Sequence, residues 1–261
     1  ADMRDPASYE AAIQPNTKII YIETLTNPVL KVCDIPAMVD IAQRHNIMCI
    51  IDNTFASPWA CQPLSMGVDL VIHSTTKYLG GHSDIIGGAV VGGKDHISQI
   101  FARKIHFGGS PDPHNCYLLE RGMRTLHVRM PLLSANAMEI SKRLEAHPLI
   151  EKVNYPGLES HDDYEVAQRV MPRGSGMVAF VVKGGDAAAL KFMRGLDIIY
   201  EATSLGGVES LIECPFNPSH MMIPEEVRHA AGLVPGFVRM SIGIEDLEDL
   251  WNDITTALST L

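Results

Sequence analysis

The chain has 261 residues, with 31 acidic against 21 basic side chains and a net charge of −10. That balance excludes broad binding to nucleic acid or to an anionic membrane surface, both of which need a basic face. Apolar residues make up 46% and charged residues 20%, which is the composition of a globular protein and not of a disordered one. No apolar run approaches the roughly 18 residues of a membrane span, and the N-terminus lacks a signal-peptide pattern. Five scattered cysteines with no C-x-x-C pair point to a reducing compartment and a cytoplasmic location. The opening Ala1-Asp2-Met3-Arg4-Asp5 reads as the middle of a longer sequence.

In chain order, residues 18–23 (KIIYIE) form a short β-branched run and predict a buried strand. Asp34 can cap a helix over 35–45, with Pro36 tolerated in its first turn. Residues 47–52 (IMCIID) and 69–73 (DLVIH) predict two more strands, and 86–91 a fourth, weakened by its glycines. Strands separated by helical stretches argue a parallel α/β sheet, and continuous apolar runs fit strands covered on both faces. The pattern then changes. Met130, Leu133, Ala137, Ile140 and Leu144 recur at steps of three and four, predicting one long amphipathic helix over 128–146. Strand-like pieces follow at 151–155 and 177–182, a helix at 185–194 and a strand at 237–242. Leu247, Leu250, Trp251, Ile254, Leu258 and Leu261 mark a C-terminal helix. These changes set a domain boundary near 128: residues 1–128 form one domain, and 129–261 form a connector helix with a smaller domain.

Two strand ends carry chemistry. One run closes on Asp52, followed by Asn53 and Thr54. The other runs into Ser74-Thr75-Thr76-Lys77-Tyr78-Leu79-Gly80-Gly81. In parallel α/β sheets ligands bind beyond the carboxyl ends of the strands, so both runs deliver polar groups to one rim. Hydroxyls of Ser74 and Thr76 could bind a phosphate, and Lys77 offers an amine. A carboxylate, a lysine and phosphate-binding hydroxyls are what a pyridoxal phosphate site requires, the lysine forming a Schiff base and the carboxylate pairing with the ring nitrogen. Each part alone has a plainer reading: Asp52 as a turn residue, Lys77 as solvated surface, and the Gly pairs as turns. The glycines match neither the phosphate loop nor the dinucleotide fingerprint. The histidines show no H-E-x-x-H and no zinc spacing, so no metal is expected. His161-Asp162-Asp163 reads as a helix cap, and Cys116 as a buried apolar residue.

Residues 74–84 (STTKYLGGHSD) closely resemble the cofactor-lysine signature of the Cys/Met-metabolism, or transsulfuration, family of pyridoxal-phosphate enzymes. Further blocks resemble the family in family order: 23–28 (ETLTNP), 52–55 (DNTF), 121–126 (RGMRTL), 155–158 (YPGL), 204–210 (SLGGVES) and 238–246 (VRMSIGIED). The resemblance runs from about residue 18 to the end.

It implies the fold-type I architecture of pyridoxal-phosphate transferases. The chain would supply the C-terminal part of the large, mostly parallel sheet domain and the smaller α+β domain. It implies pyridoxal 5'-phosphate as cofactor, held covalently by Lys77. Asp52 would pair with the ring nitrogen, Ser74 and Thr76 would bind the phosphate, and Thr54 and Asn27 would lie at the cofactor. Arg239 would clamp the amino-acid α-carboxylate, helped by Ser204. An Arg fits that role because its planar fork matches a carboxylate, and Arg239 stands isolated in an apolar stretch. The family's N-terminal part, which supplies part of the phosphate pocket and an arm onto a neighbouring subunit, has no matching block here. The chain alone is therefore expected to bind cofactor poorly.

Family members act on sulfur amino acids and are usually homotetramers. Ser204-Leu205-Gly206-Gly207 leans towards γ-type enzymes. Thr203, before it, matches neither the γ-lyase nor the methionine-lyase pattern, and residues 214–220 depart from the family pattern as well. The reading is elimination or replacement at the γ-carbon of a sulfur amino acid, cystathionine γ-lyase-like. The alternatives are a cystathionine γ-synthase, an O-acylhomoserine sulfhydrylase or a methionine γ-lyase, and, in another class, a truncated non-catalytic assembly partner.

Overall fold

The structure is a computed structural model and describes residues 1–214, 226 and 231–261. The segment 215–220, most of the stretch that departs from the family pattern, lies outside the described residues. The chain divides into two compact units. The first comprises Ala1–Leu25, Lys31–His127 and Glu165–Pro172, and the second Thr26–Leu30, Val128–Tyr164 and Arg173–Leu261.

The first unit is built on a four-stranded sheet in the order β1-β2-β3-β4, where β1 is Ile19–Glu23, β2 Met48–Asp52, β3 Leu70–Ser74 and β4 Gly88–Gly92. The first three strands are parallel. β4 pairs antiparallel with β3, which fits the expected mostly parallel sheet, although the reading of these strands as a parallel α/β set does not separate β4 from the rest. Between β3 and β4 lies only the short turn Thr75–Leu79 and no longer crossover helix, and the chain returns antiparallel. A short helix α1 (Pro6–Ala11) precedes the sheet, and helix α2 spans Ile35–Arg44. The Asp34 side chain caps α2 by accepting the Ala37 N–H at 3.4 Å, and Ile35, Met38, Val39, Ile41 and Ala42 form its buried face. A four-residue helix α3 (Ser57–Ala60) follows β2. Two further helices, α4 (Lys94–Phe107) and α5 (Pro113–Met123), come after β4. α4 buries none of its residues, and Phe101, Ile105 and Phe107 on it are exposed. Cys116 is also exposed. The expectation that it is buried fails because it lies on α5, where the one buried residue is Gly122.

Helix α6 (Leu126–Glu145) leads into the second unit. Its buried residues include Met130, Leu133, Ala137, Ile140 and Leu144, the same stripe that the sequence spacing marks. The sheet of this unit has the order β5-β6-β9-β8-β7. Its strands are β5 Ile150–Asn154, β6 Met177–Val182, β7 Tyr200–Glu201, β8 Leu211–Glu213 and β9 Phe237–Ser241. β6 and β9 are buried along their whole length, whereas the expectation of strands covered on both faces fails for β1, where Ile19 and Tyr21 are exposed on one face, and for β4, which buries none of its residues. Helix α7 (Tyr164–Val170), which returns to the first unit from Glu165 on, follows His161-Asp162-Asp163, and His161 Nδ1 accepts the Asp163 N–H at 3.1 Å. α8 (Gly185–Arg194) and α9 (Leu247–Leu258) belong to the second unit. Phe180, Phe192, Val238, Leu250 and Ile254 form part of its core with Ile140 and Leu144 of α6. α9 ends at Leu258, so the predicted extension to Leu261 falls beyond its last turn.

Candidate active site

In the first unit the carboxyl end of β2 is locked residue by residue. Half-buried Asp52 accepts the Thr54 N–H on Oδ1 at 2.9 Å, and the Tyr21 hydroxyl of neighbouring β1 lies 3.5 Å from its Oδ2. Burial first, then the negative charges of Asp52 and Glu23, raise the pKa of Tyr21, so its phenol stays a donor. Asn53 is fully buried. It accepts the Thr24 hydroxyl at 2.6 Å and donates to the carbonyls of Cys61 and Ser57 at 2.9 and 3.2 Å. Thr54 turns its Oγ1 to the end of β3, where it accepts the Ser74 N–H at 2.8 Å. The Asp-Asn-Thr run therefore fixes a carboxylate at the rim and ties the two strand ends together.

Beyond Ser74 the chain makes one π-helical turn, Thr75–Leu79, broken at Lys77, whose φ of −94° and ψ of −134° are not helical. The break sets half-buried Lys77 apart from the regular path of its neighbours. Thr75 N–H donates to the Gly87 carbonyl at 2.9 Å. Thr76 Oγ1 accepts the Gly87 N–H at 3.0 Å and lies 3.4 Å from the Gly87 carbonyl oxygen. A phosphate at Thr76 would therefore compete with Gly87 for the hydroxyl proton. Gly122 of α5 packs so closely on the Gly80 carbonyl that any Cβ there would collide with it. His73, one residue before Ser74, points to the other face of the sheet and is buried. Burial pushes its pKa down, opposed by the charge of Asp52.

The first unit thus holds Asp52, Thr54, Ser74, Thr76 and Lys77, while Asn27, Ser204 and Arg239 belong to the second. Arg239, on the central strand β9, is 3% exposed. Its Nη1 donates to Asn27 Oδ1 at 2.6 Å, and its Nη2 lies 3.3 and 3.4 Å from the carbonyl oxygens of Thr203 and Ser204. Ser204 thus meets Arg239 through its backbone. Glu213 Oε1 is 2.7 Å from Arg239 Nη2. The sequence reading missed Glu213 and Tyr21. Glu213 carries the signal that singled out Arg239, a lone charge in an apolar run (Leu211-Ile212-Glu213-Cys214). Tyr21 carries none, because its partner is reached only through strand register. Among the described residues no group of three or more His, Cys, Asp or Glu is placed to hold a metal ion.

Comparison with known proteins agrees with this arrangement. The family model described as "Cys/Met metabolism PLP-dependent enzyme" matches residues 1–259. An L-methionine gamma-lyase of Porphyromonas gingivalis is 42% identical over 263 residues, covering 100% of this chain and 66% of the relative. A cystathionine gamma-lyase of Bacillus subtilis is 44% identical over 257 residues, covering 97% of this chain and 66% of the relative. The crystal structure of cystathionine gamma-lyase from Lactobacillus plantarum complexed with L-serine superposes with a TM-score of 0.95 at 41% identity, covering 99% of this chain and 68% of that one. The chain spans about two thirds of the length of the curated relatives it matches, 66% for both. The ordered blocks, the strand-end chemistry and these matches lead to one conclusion: the chain belongs to the family of Cys/Met-metabolism PLP-dependent enzymes.

Proposed function

We propose that this chain carries the lysine, the ring-nitrogen carboxylate and the substrate-carboxylate clamp of an enzyme that eliminates or replaces the γ-substituent of a sulfur amino acid, with cystathionine γ-lyase-like activity. The observation that carries the reading is the rim of the first unit. There Asp52, held by Thr54, and the turn broken at Lys77 are joined by the bond from Ser74 N–H to Thr54 Oγ1. The donor set fits the family's cofactor: one carboxylate for a ring nitrogen, one amine for an aldehyde, and the hydroxyls of Ser74 and Thr76 for a phosphate. Pyridoxal 5'-phosphate, when bound, supplies an electron sink for negative charge developing on substrate carbons.

Each residue then has one task. Lys77 would hold the cofactor through its amine and, when its amine is free, could move a proton at the substrate α-carbon. Asp52 keeps the ring nitrogen protonated, and Thr54 positions Asp52. Arg239, in the second unit, would fix the α-carboxylate of the substrate with its planar fork. Relatives of near-equal identity bear the names methionine gamma-lyase and cystathionine gamma-lyase, and the γ-type block at Ser204–Gly207 supports either. A reducing, cytoplasmic setting and a homo-oligomeric assembly complete the proposal. Five free thiols and the apolar residues exposed on α4 support these two points. Among the described residues no helix is long and apolar enough to cross a membrane.

The test uses the full protein that contains this chain. After incubation with pyridoxal phosphate and reduction with borohydride, mass spectrometry should find the added mass on Lys77, and Lys77→Ala should abolish it. Cystathionine, methionine and O-acylhomoserine are then supplied in turn. We expect 2-oxobutanoate from cystathionine, and its absence from all three reactions sinks the lyase assignment.

A further inference from the structure

In the second unit β8 and β9 are antiparallel neighbours, and their register places Glu213 directly across from Arg239. Both side chains are buried, at 6% and 3% exposure, and the carboxylate sits 2.7 Å from Nη2 of the guanidinium. Among the described residues this cation also meets three neutral acceptors, Asn27 Oδ1 and the carbonyls of Thr203 and Ser204. Arg239, read as the clamp of a substrate carboxylate, already holds one carboxylate. We propose that Glu213 is the resident counter-anion of this subsite. It orients Arg239 and, by repelling the incoming α-carboxylate, sets how weakly an amino acid is held. The inference rests on the reading of Arg239 as the carboxylate clamp.

The physical case has three parts. A buried guanidinium left without an anion is costly, and removing one partner of such a pair is strongly destabilising. Glu213 therefore supplies an anion to the buried guanidinium. A guanidinium has five N–H donors, enough for two carboxylates, so the substrate need not displace Glu213. Two anions on one cation in a low-dielectric pocket nevertheless repel each other appreciably. The substrate thus gains the attraction of Arg239 less the repulsion of Glu213. Glu213 cannot swing aside cheaply, because its backbone is held in the sheet opposite Arg239.

Glutamine at this position keeps an oxygen for Nη2 and removes the charge, which separates the two roles. In the full protein, calorimetric titration with propionate, an unreactive carboxylate, is compared for wild type, Glu213→Gln, Glu213→Ala and Arg239→Leu. Glu213→Gln should bind propionate about tenfold or more tightly than wild type. Its KM for the amino-acid substrate should fall in parallel while kcat stays within about threefold. Glu213→Ala loses the acceptor as well, so KM should rise. Arg239→Leu should abolish propionate binding. If Glu213→Gln unfolds on its own, propionate should restore its fold in a dose-dependent way, since a ligand that binds only the native state stabilises it. Equal or weaker binding of propionate by Glu213→Gln, or no restoration of its fold, overturns the proposal. Propionate binding that persists in Arg239→Leu refutes the carboxylate-clamp reading itself, and the inference falls with it. Both outcomes are read without turnover, so they stand apart from a failure of the lyase assay.

Discussion

His73 stands between Ile72 and Ser74 on β3, buried on the face of the sheet opposite the Ser74 side chain. Burial lowers its pKa and Asp52 only partly offsets this, so the folded protein holds fewer protons on this ring than the unfolded chain does. Stability from the neutral ring is complete above the unfolded value of about 6.5 and is lost as pH falls through it towards the lower folded value. The denaturant midpoint should therefore fall on acidification below about pH 6.5, and His73→Gln should flatten that part of the profile. An unchanged slope in the variant would refute the assignment. Three of the four buried thiols, Cys33, Cys49 and Cys61, shift in the opposite direction. Burial pushes Cys49 and Cys61 up to about 12 and raises Cys33 as well, so none is a thiolate near neutral pH. At this scale Asp52 stands out in the sequence as a charge closing an apolar run, while Lys77 and Arg239 take their roles from the resemblance of their motifs to the family. The sequence does not name Tyr21 or Glu213, whose partners lie on the neighbouring strand.

Elements with a repeated buried face were legible, and those without one were not. α6 showed its stripe because a helix that buries one face repeats apolar residues every three to four positions. β7 and β8 were missed because two and three residues are too few for any period to show. α4 was missed because it buries nothing. The direction of β4 was missed because pairing sense is set by the connection, not by the strand. α9 was found by its periodicity, but its hold on the unit is invisible in that pattern. From its second turn Asp253 accepts the N–H groups of Asp197 at 2.8 Å and of Ile198 and Ile199 at 3.0 Å. Asp253→Ala leaves three donors without their acceptor and should cost about 3 kcal/mol, with Asp253→Asn costing less because one oxygen remains. Urea denaturation of the two variants checks this. A loss under about 1 kcal/mol for the alanine would show that water replaces the carboxylate.

Across the whole molecule, a charge of −10 and the exposed Phe101, Ile105 and Phe107, at 56, 65 and 86%, pull in opposite directions. Charge keeps copies apart, while apolar residues clustered on one helix favour a covering partner. The proposed homo-oligomer resolves this. Light scattering on the full protein should give a multiple of its single-chain mass, and Phe101→Glu with Phe107→Glu should lower it. A mass unaffected by the pair would mean that α4 is not the covered face. The sequence by itself determined the family, the α/β class, the strand ends that bear the chemistry and the helix that leads into the second unit. These properties are written locally, as ordered motifs and as the spacing of apolar residues. Only the tertiary structure decided which residues meet: Asn27 and Glu213 on the same guanidinium, Tyr21 on Asp52, Thr54 on the end of β3. Those meetings depend on strand register and on segments more than two hundred positions apart in the extreme case (Asn27 with Arg239, |i−j| of 212), and spacing along the chain carries no information about them.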